Sequence, residues 1–535
     1  MSTLDRAQQD VIAFLGRPET YGSRCSHVDR IETHISVVFL ANDRVLKLKR
    51  AVHFPYVDYS TLEARRVCCE KEVRLNRRTA PGLYRGVVAV TRSAAGALEL
   101  GGSGTPVEWL VDMRRFEQDQ RLDAVAERGA LDVPLAAAIG DAAARLHAAA
   151  EPRRDHGGSA AMQWVVNEND AELSAAGHAV SQHVRAQIYE ASLEALRRHG
   201  SLLDRRRDRG WVRECHGDLH LGNIFLEGRT PVLFDGIEFN DELSCIDVLY
   251  DVAFLVMDLL HRNLPVHANA AINAWFERLP HYDALPLLPL FLSCRAVIRS
   301  KVLITAAGVL SDPAQASQLH QDAARYLDRA NQLIAAGSGA IIAIGGLSGS
   351  GKSTLARALA GGLGRPPGAF VLRSDVARKR RFSVEPTVRL PDVAYERPIS
   401  AAVYEELTQA AREVARAGYV AIIDAVCATE SLRGAIRDAA RQEGVPFVGL
   451  WLDAPSDIMA RRLANRPVDA SDATVAVLQR QQETVEVPGD WDHLDASSDP
   501  DRVAAAARSR LAERMVLSAA ETGHDQTRAN HVSQP

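Results

Sequence analysis

The chain has no C-x-x-C pair among its seven cysteines, Cys25, Cys68, Cys69, Cys215, Cys245, Cys294 and Cys427. An odd, scattered set argues against a disulfide framework or a zinc site and for reduced thiols in a cytosolic protein. Long apolar runs are also missing. The most apolar stretch, residues 249–260, is too short to span a bilayer and carries acids. The opening residues, MSTLDRAQQDVIAFL, lack a basic segment followed by an apolar one. The expectation is a cytoplasmic protein with no membrane span. No charge sign dominates: the net charge is −5, which argues against nonspecific binding to nucleic acid.

What is present is a globular composition, 47% hydrophobic and 24% charged, in 535 residues. That length exceeds one ordinary core and predicts two to four domains.

Residues 214–240, ECHGDLHLGNIFLEGRTPVLFDGIEFN, carry the first chemistry. Asp218 and Asn223 stand in D-x-x-x-x-N after His216-Gly217, and Asp235 opens Asp-Gly after an apolar run. A hydroxyl attacking a phosphate needs a carboxylate to orient its proton. The phosphates need a metal, held by an amide oxygen and a second carboxylate. Asp218, Asn223 and Asp235 can supply these groups, with a hairpin returning Asp235 beside the loop. A turn-rich loop is the plain alternative. A metal pair of His216 and His220 is disfavoured, because Gly217 and Gly222 oppose the helix it needs.

The stretch resembles the aminoglycoside phosphotransferase and choline kinase family, in which H-G-D-x-x-x-x-N replaces the protein-kinase H-R-D. The resemblance implies a bilobal protein-kinase-like fold with ATP and Mg2+ as cofactors. It also implies a strand lysine on the phosphates and a helical glutamate paired to it. Residues 44–50 alternate Leu46 and Leu48 with Lys47 and Lys49, so both lysines share a face; Lys47 is preferred over Lys49. On the helix expected at 62–78, Glu72 is preferred over Glu70. No G-x-G-x-x-G precedes the lysine strand, so residues 33–36 must cover the phosphates with less glycine. Residues 109–113 are read as the edge leading to the hinge, whose backbone pairs with adenine. The run 205–209, RRRDR, reads as a solvated loop. Asp247 and Asp251 fall i, i+4 on a helix expected at 246–260. Asp251 is expected to brace the catalytic loop, and Asp247 to complement the helix dipole. Arg295, Arg299 and Lys301 either meet an anionic substrate or form a solvated face.

Residues 335–339, AAGSG, read as a small-residue linker. Beyond it, Gly346-x4-Gly351-Lys352-Ser353 follows an apolar strand and opens a helix, a complete P-loop in its proper context. Gly346, Gly349 and Gly351 let backbone amides cradle phosphate oxygens, with Ser350 and Thr354 in the same nucleotide-binding segment. Lys352 is expected on the β and γ phosphates and Ser353 on Mg2+. Later strands alternate with helices, and Asp375 and Asp424 fall at strand ends, where ligands bind in a doubly wound parallel sheet.

This half resembles small P-loop kinases. That implies Asp375 on the acceptor hydroxyl, and lid arginines near 461–466, Arg462 among them, on the transferring phosphoryl group. Asp424 is expected on the metal or its water shell. The basic run 378–381 is either an anion site or solvated. The whole resembles bacterial two-domain proteins that join an aminoglycoside phosphotransferase-like half to a P-loop ATP-binding half. The expected domains are 1–335 and 340–519, followed by a disordered tail at 520–535.

The expected function is ATP- and Mg2+-dependent phosphoryl transfer to hydroxyls of a small molecule, with two ATP sites and neither membrane nor nucleic acid as partner. The alternatives are a nucleotide sensor in which one site controls the other, and an aminoglycoside phosphotransferase conferring resistance.

Overall fold

The computed structural model describes residues 3–529 apart from 55, 178–179 and 467–468, and within that span the side chains of residues 8–514. Two compact units form. One comprises Met1–Glu168 and Leu196–Asp258, the other Asn169–Ala195 and Leu259–Pro535.

The first unit opens with helix α1 (Thr3–Leu15) and a six-stranded antiparallel sheet. Its strands are β1 (Asp29–Glu32), β2 (Ser36–Ala41), β3 (Arg44–Lys49), β6 (Tyr84–Arg92), β7 (Leu98–Leu100) and β8 (Thr105–Arg114), in the order β1-β2-β3-β8-β6-β7. Between β3 and helix α2 (Leu62–Asn76) lies a small hairpin, β4 (His53–Phe54) and β5 (Val57–Asp58). The β2–β3 turn is Asn42-Asp43, with Asn42 at φ 51°, a left-handed position that asparagine tolerates.

Strand alternation sorts the β3 side chains between two faces. Leu46 and Leu48 pack with Val11, Ile12 and Leu15 of α1. Val45 packs with Cys69 and Val73 of α2, and Lys47 and Lys49 share that face. Residues 109–113 are not at an edge: β8 pairs with β3 on one side and β6 on the other. Its backbone is committed to the sheet, so it has no row of free groups for a base.

Helices α3 (Leu122–Glu127), α4 (Val133–Ala149), α5 (Gly158–Ala175) and α6 (Gln182–Asp208) come next. The run 205–209 is thus mostly helix. Arg206 is fully buried, with Nε and Nη2 on Asp247 at 2.6 and 2.8 Å. The solvated-loop expectation fails because one of the run's four arginines points inward to a buried acid. Strand β9 (Val212–Glu214) pairs with β12 (Cys245–Asp247), and β10 (Ile224–Glu227) forms a hairpin with β11 (Thr230–Leu233). Helix α7 (Asp241–Ser244) precedes β12, and α8 (Val248–His261) succeeds it. Asp247 therefore ends a strand and does not share a helix face with Asp251. It accepts the Leu249 N–H at 2.9 Å, an N-terminal role like the one expected, and balances Arg206 besides.

The second unit carries α9 (Pro265–Arg278), α10 (Leu288–Val309) and α11 (Pro313–Ile334), then a five-stranded parallel sheet. Its elements run β13 (Ala340–Gly345), α12 (Lys352–Ala360), β14 (Phe370–Arg373), α13 (Ser374–Arg381), α14 (Arg397–Arg416), β15 (Val420–Asp424), α15 (Glu430–Glu443), β16 (Phe447–Asp453), α16 (Ser456–Ala464), α17 (Val475–Thr484), β17 (Asp492–Asp495) and α18 (Pro500–Ala529). The strand order is β14-β15-β13-β16-β17, with an apolar core of Ile342, Ile344, Leu355, Ile422 and Leu450.

Residues 335–339 are not a loose linker. A Cβ on Gly339 would overlap the Ala415 carbonyl, and one on Gly337 would sit 2.7 Å from the Gly418 oxygen. The small residues are there for close packing. Of the cations at 295–301, Arg295 is buried and Lys301 pairs with Glu172 at 3.0 Å. Helix α18 extends through Ala529; the tail expected at 520–535 lies partly outside the described residues, which end at 529. Among the described residues, no helix is long and apolar enough to cross a membrane, and all seven cysteines are free.

The edge strand β14 is closed by a device that the sequence did not announce. Asn273 of α9 accepts the Val371 N–H at 2.7 Å, and Asn269 Nδ2 donates to the Pro367 and Ala369 carbonyls at 3.0 and 2.9 Å. Two side-chain amides thus satisfy backbone groups that an open edge would leave unpaired.

Candidate active site

In the first unit the lysine strand, α2 and the loop that carries Asp235 converge. Lys47 Nζ lies 3.0 Å from Glu72 Oε1 and 2.5 Å from Asp235 Oδ1. Lys49 Nζ takes the other Glu72 oxygen at 2.6 Å and also pairs with Glu238. Burial alone would lower both lysine pKa values, but the surrounding carboxylates outweigh it and hold them well above the ordinary value. Glu72 is fully buried, whereas Glu70 faces solvent and pairs with Arg66 at 2.6 Å.

The hairpin does what the spacing predicts. Phe234 N–H bonds the Asn223 carbonyl at 3.0 Å, so Asp235 returns beside the loop that carries Asp218. Asn223 Nδ2 donates to Asp218 Oδ2 at 2.8 Å and to its carbonyl at 2.9 Å. Asp235 has φ 60° and a half-exposed side chain. Its N–H reaches Tyr84 Oη at 3.1 Å, the Gly236 N–H reaches Asn76 Oδ1 at 2.8 Å, and the Ile237 N–H reaches the His216 carbonyl at 2.8 Å. The loop is fixed by its backbone, which leaves the Asp235 carboxylate to project.

Beneath the loop that carries Asp218 sits Asp251, fully buried. It accepts the His216 N–H at 3.0 Å and the Gly217 N–H at 2.9 Å, and its Oδ2 lies 2.9 Å from His147 Nε2. This is the bracing expected of Asp251, with His147 as an unforeseen third member. Burial pushes the His216 pKa down, and its Nε2 donates to the Phe234 carbonyl at 2.8 Å. His216 and His220 do not share a helix face: His220 Nδ1 accepts the Gly222 N–H at 3.1 Å in a tight turn.

In the second unit the P-loop comes directly after β13. Gly346, Gly349 and Gly351 have φ of 138°, 84° and 102°. A Cβ on Gly349 would lie 2.7 Å from the Met459 carbonyl, and one on Gly346 would lie 2.8 Å from Ser350 Oγ, so side chains would fill the cradle. Lys352 Nζ bonds the Gly346 and Leu347 carbonyls at 2.9 and 3.0 Å. Burial lowers its pKa against the opposing pull of Asp424 and Asp375. Ser353 opens α12 behind Lys352, and Thr354 faces outward.

β13 and β14 flank β15, so Asp424 and the start of α13, with Asp375, lie at the same carboxyl end of the sheet as the loop. Burial raises the Asp375 pKa. Arg462 Nη1 reaches the Ser350 carbonyl at 3.3 Å and Nη2 the Ala496 carbonyl at 2.8 Å, which puts it against the P-loop backbone. Arg461 is exposed on Asp457, and Arg466 pairs with Asp469 at 2.8 Å. In the run 378–381, Arg378 and Lys379 are buried: Arg378 lies over the Tyr395 ring, and Lys379 pairs with Asp472 at 2.7 Å.

Sequence reasoning missed Glu238, Tyr59 and Arg373. Glu238 stands three residues after Asp235, a visible offset, but nothing in the pattern names its partner. Arg373 ends β14, with Asp424 and Glu277 each at 3.6 Å and Asp469 at 3.4 Å.

A model of the Phosphotransferase enzyme family matches residues 67–288, and a model described as AAA domain matches residues 341–488. An uncharacterized protein of Mycobacterium tuberculosis is 32% identical over 484 residues, covering 87% of this chain and 91% of that protein. Among solved structures, a choline/ethanolamine kinase family protein from Mesorhizobium loti is 13% identical, covers 61% of this chain and 99% of its own, and superposes with a TM-score of 0.36. A gluconokinase from Sinorhizobium meliloti is 22% identical, covers 34% of this chain and 96% of its own, with a TM-score of 0.24.

Proposed function

The chain belongs to the family of the uncharacterized Mycobacterium tuberculosis protein, and because a phosphotransferase-family match precedes a P-loop match in this chain we propose that it is an ATP- and magnesium-dependent phosphotransferase acting on hydroxyl groups of a small molecule, with one nucleotide site in each half. We take residues 1–335 and 340–519 as the two functional domains.

The observation that carries this reading is the meeting of Lys47, Glu72 and Asp235 beside the Asp218–Asn223 pair. A structural ion cluster needs no acid exposed toward solvent. Here Asp218 and Asp235 both keep a third or more of their side-chain surface. Asp218 would orient the attacking hydroxyl and take its proton as the γ-phosphorus–oxygen bond to ADP breaks. The Asn223 amide and the Asp235 carboxylate are hard oxygen donors that suit magnesium, whose charge would screen the phosphate oxygens. Lys47 would move from Asp235 to the α and β phosphates while keeping Glu72.

In the P-loop half, Lys352 would exchange two carbonyls for phosphate oxygens. Ser353 and Asp424 supply oxygens suited to magnesium and its water shell. Asp375 would hold the acceptor, and Arg462 would steady the loop beneath the transferring group.

The test is ADP release in a fractionated bacterial metabolite extract, comparing wild type with Asp218→Ala and Lys352→Ala. A stimulated rate lost only in Asp218→Ala places that acceptor in the N-terminal half. Loss only in Lys352→Ala places it in the P-loop half, and loss in both means coupled sites. ATP binding without turnover in any fraction would overturn the reading.

A further inference from the structure

The geometry points to Lys49, Glu238 and Tyr59 as a buried clamp that positions the metal loop of the N-terminal site, distinct from the lysine that meets phosphate. This assignment rests on the reading of that site as a metal–nucleotide site, and it names positioning residues within it.

Lys47 and Lys49 stand two apart on β3 and face α2 together. Asp235 and Glu238 stand three apart on the metal loop. The two lysines meet the two loop acids in order, Lys47 with Asp235 and Lys49 with Glu238, and each takes one oxygen of Glu72 between them. Strand and loop are thus joined at two points along their length.

The two joints differ in what nucleotide asks of them. Asp235 is half exposed, and its pairing with Lys47 must break if the carboxylate is to take magnesium and the lysine is to take phosphate. Lys49 is 0% exposed and Glu238 4% exposed, and Tyr59 Oη donates to Glu238 at 2.7 Å beneath the Lys49 ammonium. The inner joint therefore remains when the outer one is exchanged. It holds the loop at a fixed distance from the lysine strand, so the Asp235 carboxylate stays in place after losing its lysine. It also compensates the second oxygen of Glu72, leaving the first for Lys47.

Charge removal at such a depth exposes its partner to an apolar surrounding, so variants of graded severity are needed. Tyr59→Phe keeps the ion pair and removes one hydrogen bond. Lys49→Met and Glu238→Gln each remove one charge, and the double variant removes both. All are made with Lys352→Ala, which silences the P-loop site. Binding of a fluorescent ATP analogue is monitored while magnesium is titrated.

The expected result is a rise in half-saturating magnesium of about tenfold for Lys49→Met and for Glu238→Gln, the scale of losing a group that orients a metal ligand. Tyr59→Phe should give a smaller rise of about threefold, the scale of one hydrogen bond, with a thermal midpoint lowered less than in the charge variants. The double variant should stay displaced, because restoring neutrality does not restore the joint.

Folded variants that keep the wild-type magnesium dependence, with only the thermal midpoint lowered, would overturn the clamp. If the charge variants do not fold, Tyr59→Phe decides it alone. A Lys352→Ala protein that binds nucleotide with no magnesium dependence at all would instead overturn the reading of the N-terminal site, and the clamp with it.

Discussion

Asp251→Asn should silence the N-terminal half without touching a group that meets substrate. The aspartate offers two charged oxygens to three partners, the N–H groups of His216 and Gly217 and the ring of His147, at 3.0, 2.9 and 2.9 Å. An asparagine of the same shape has one acceptor. Seated with its oxygen toward Gly217, it turns an NH2 toward the His216 N–H, donor against donor in a fully buried site. Losing a hydrogen bond to a charged group and leaving a buried donor unsatisfied costs about 3 kcal/mol. The alternative to bearing that cost in place is a shift of the His216–Asp218 backbone. A displacement of about 1 Å at a reacting group lowers a rate by about a hundredfold. The assay is acceptor-stimulated ADP release in a Lys352→Ala background, with thermal unfolding measured on the same samples. Asp251→Asn should lose both rate and thermal midpoint, whereas Asp218→Ala should lose rate alone. An Asp251→Asn protein with wild-type turnover and midpoint would refute the bracing argument.

Arg206→Met strands Asp247 as a buried, unpaired charge and should destabilise the first unit by about 3–5 kcal/mol; Arg205→Met, on the exposed side of the same helix, should stay within about 0.5 kcal/mol by urea unfolding. Gly349→Ala places a Cβ 2.7 Å from the Met459 carbonyl at φ 84°, so equilibrium binding should show the P-loop site losing nucleotide while the N-terminal site keeps it. Burial holds the Asp375 carboxyl above its usual range. Since the ionised form is the one that would orient an acceptor, P-loop turnover should fall with decreasing pH through that raised pKa. In an Asp218→Ala background, an acid limb of kcat/KM at or below about pH 4, the ordinary carboxylate value, would contradict the assignment.

The elements nearest the chemistry were the most legible. Lys47, Glu72, Asp218, Asn223 and Asp235 sit where offset and period placed them, because each offset is a local geometric fact: two residues per strand repeat, five along a loop, a hairpin that returns. The P-loop was legible for the same reason, since its glycines, lysine and serine act within one turn. Glu72 over Glu70 was open in the sequence; in the fold one side chain turns to the sheet and the other to solvent. Failures came where a charge found a distant partner. Arg206 in a basic run meets Asp247 forty-one residues on, and β8 was read as an edge because nothing local tells a strand how many neighbours it has.

The kind of chemistry available was therefore written into the chain locally, because motif residues act over a few ångströms through backbone that is continuous between them. Which charges are buried against which was a matter for packing. Packing placed Lys49 on Glu238, Arg206 on Asp247, and two asparagines of α9 on the open edge of β14. Those pairings arise from how surfaces meet when apolar faces are buried. Residues far apart in the chain contribute equally to such a meeting, so no local pattern can name a side chain's partner in advance.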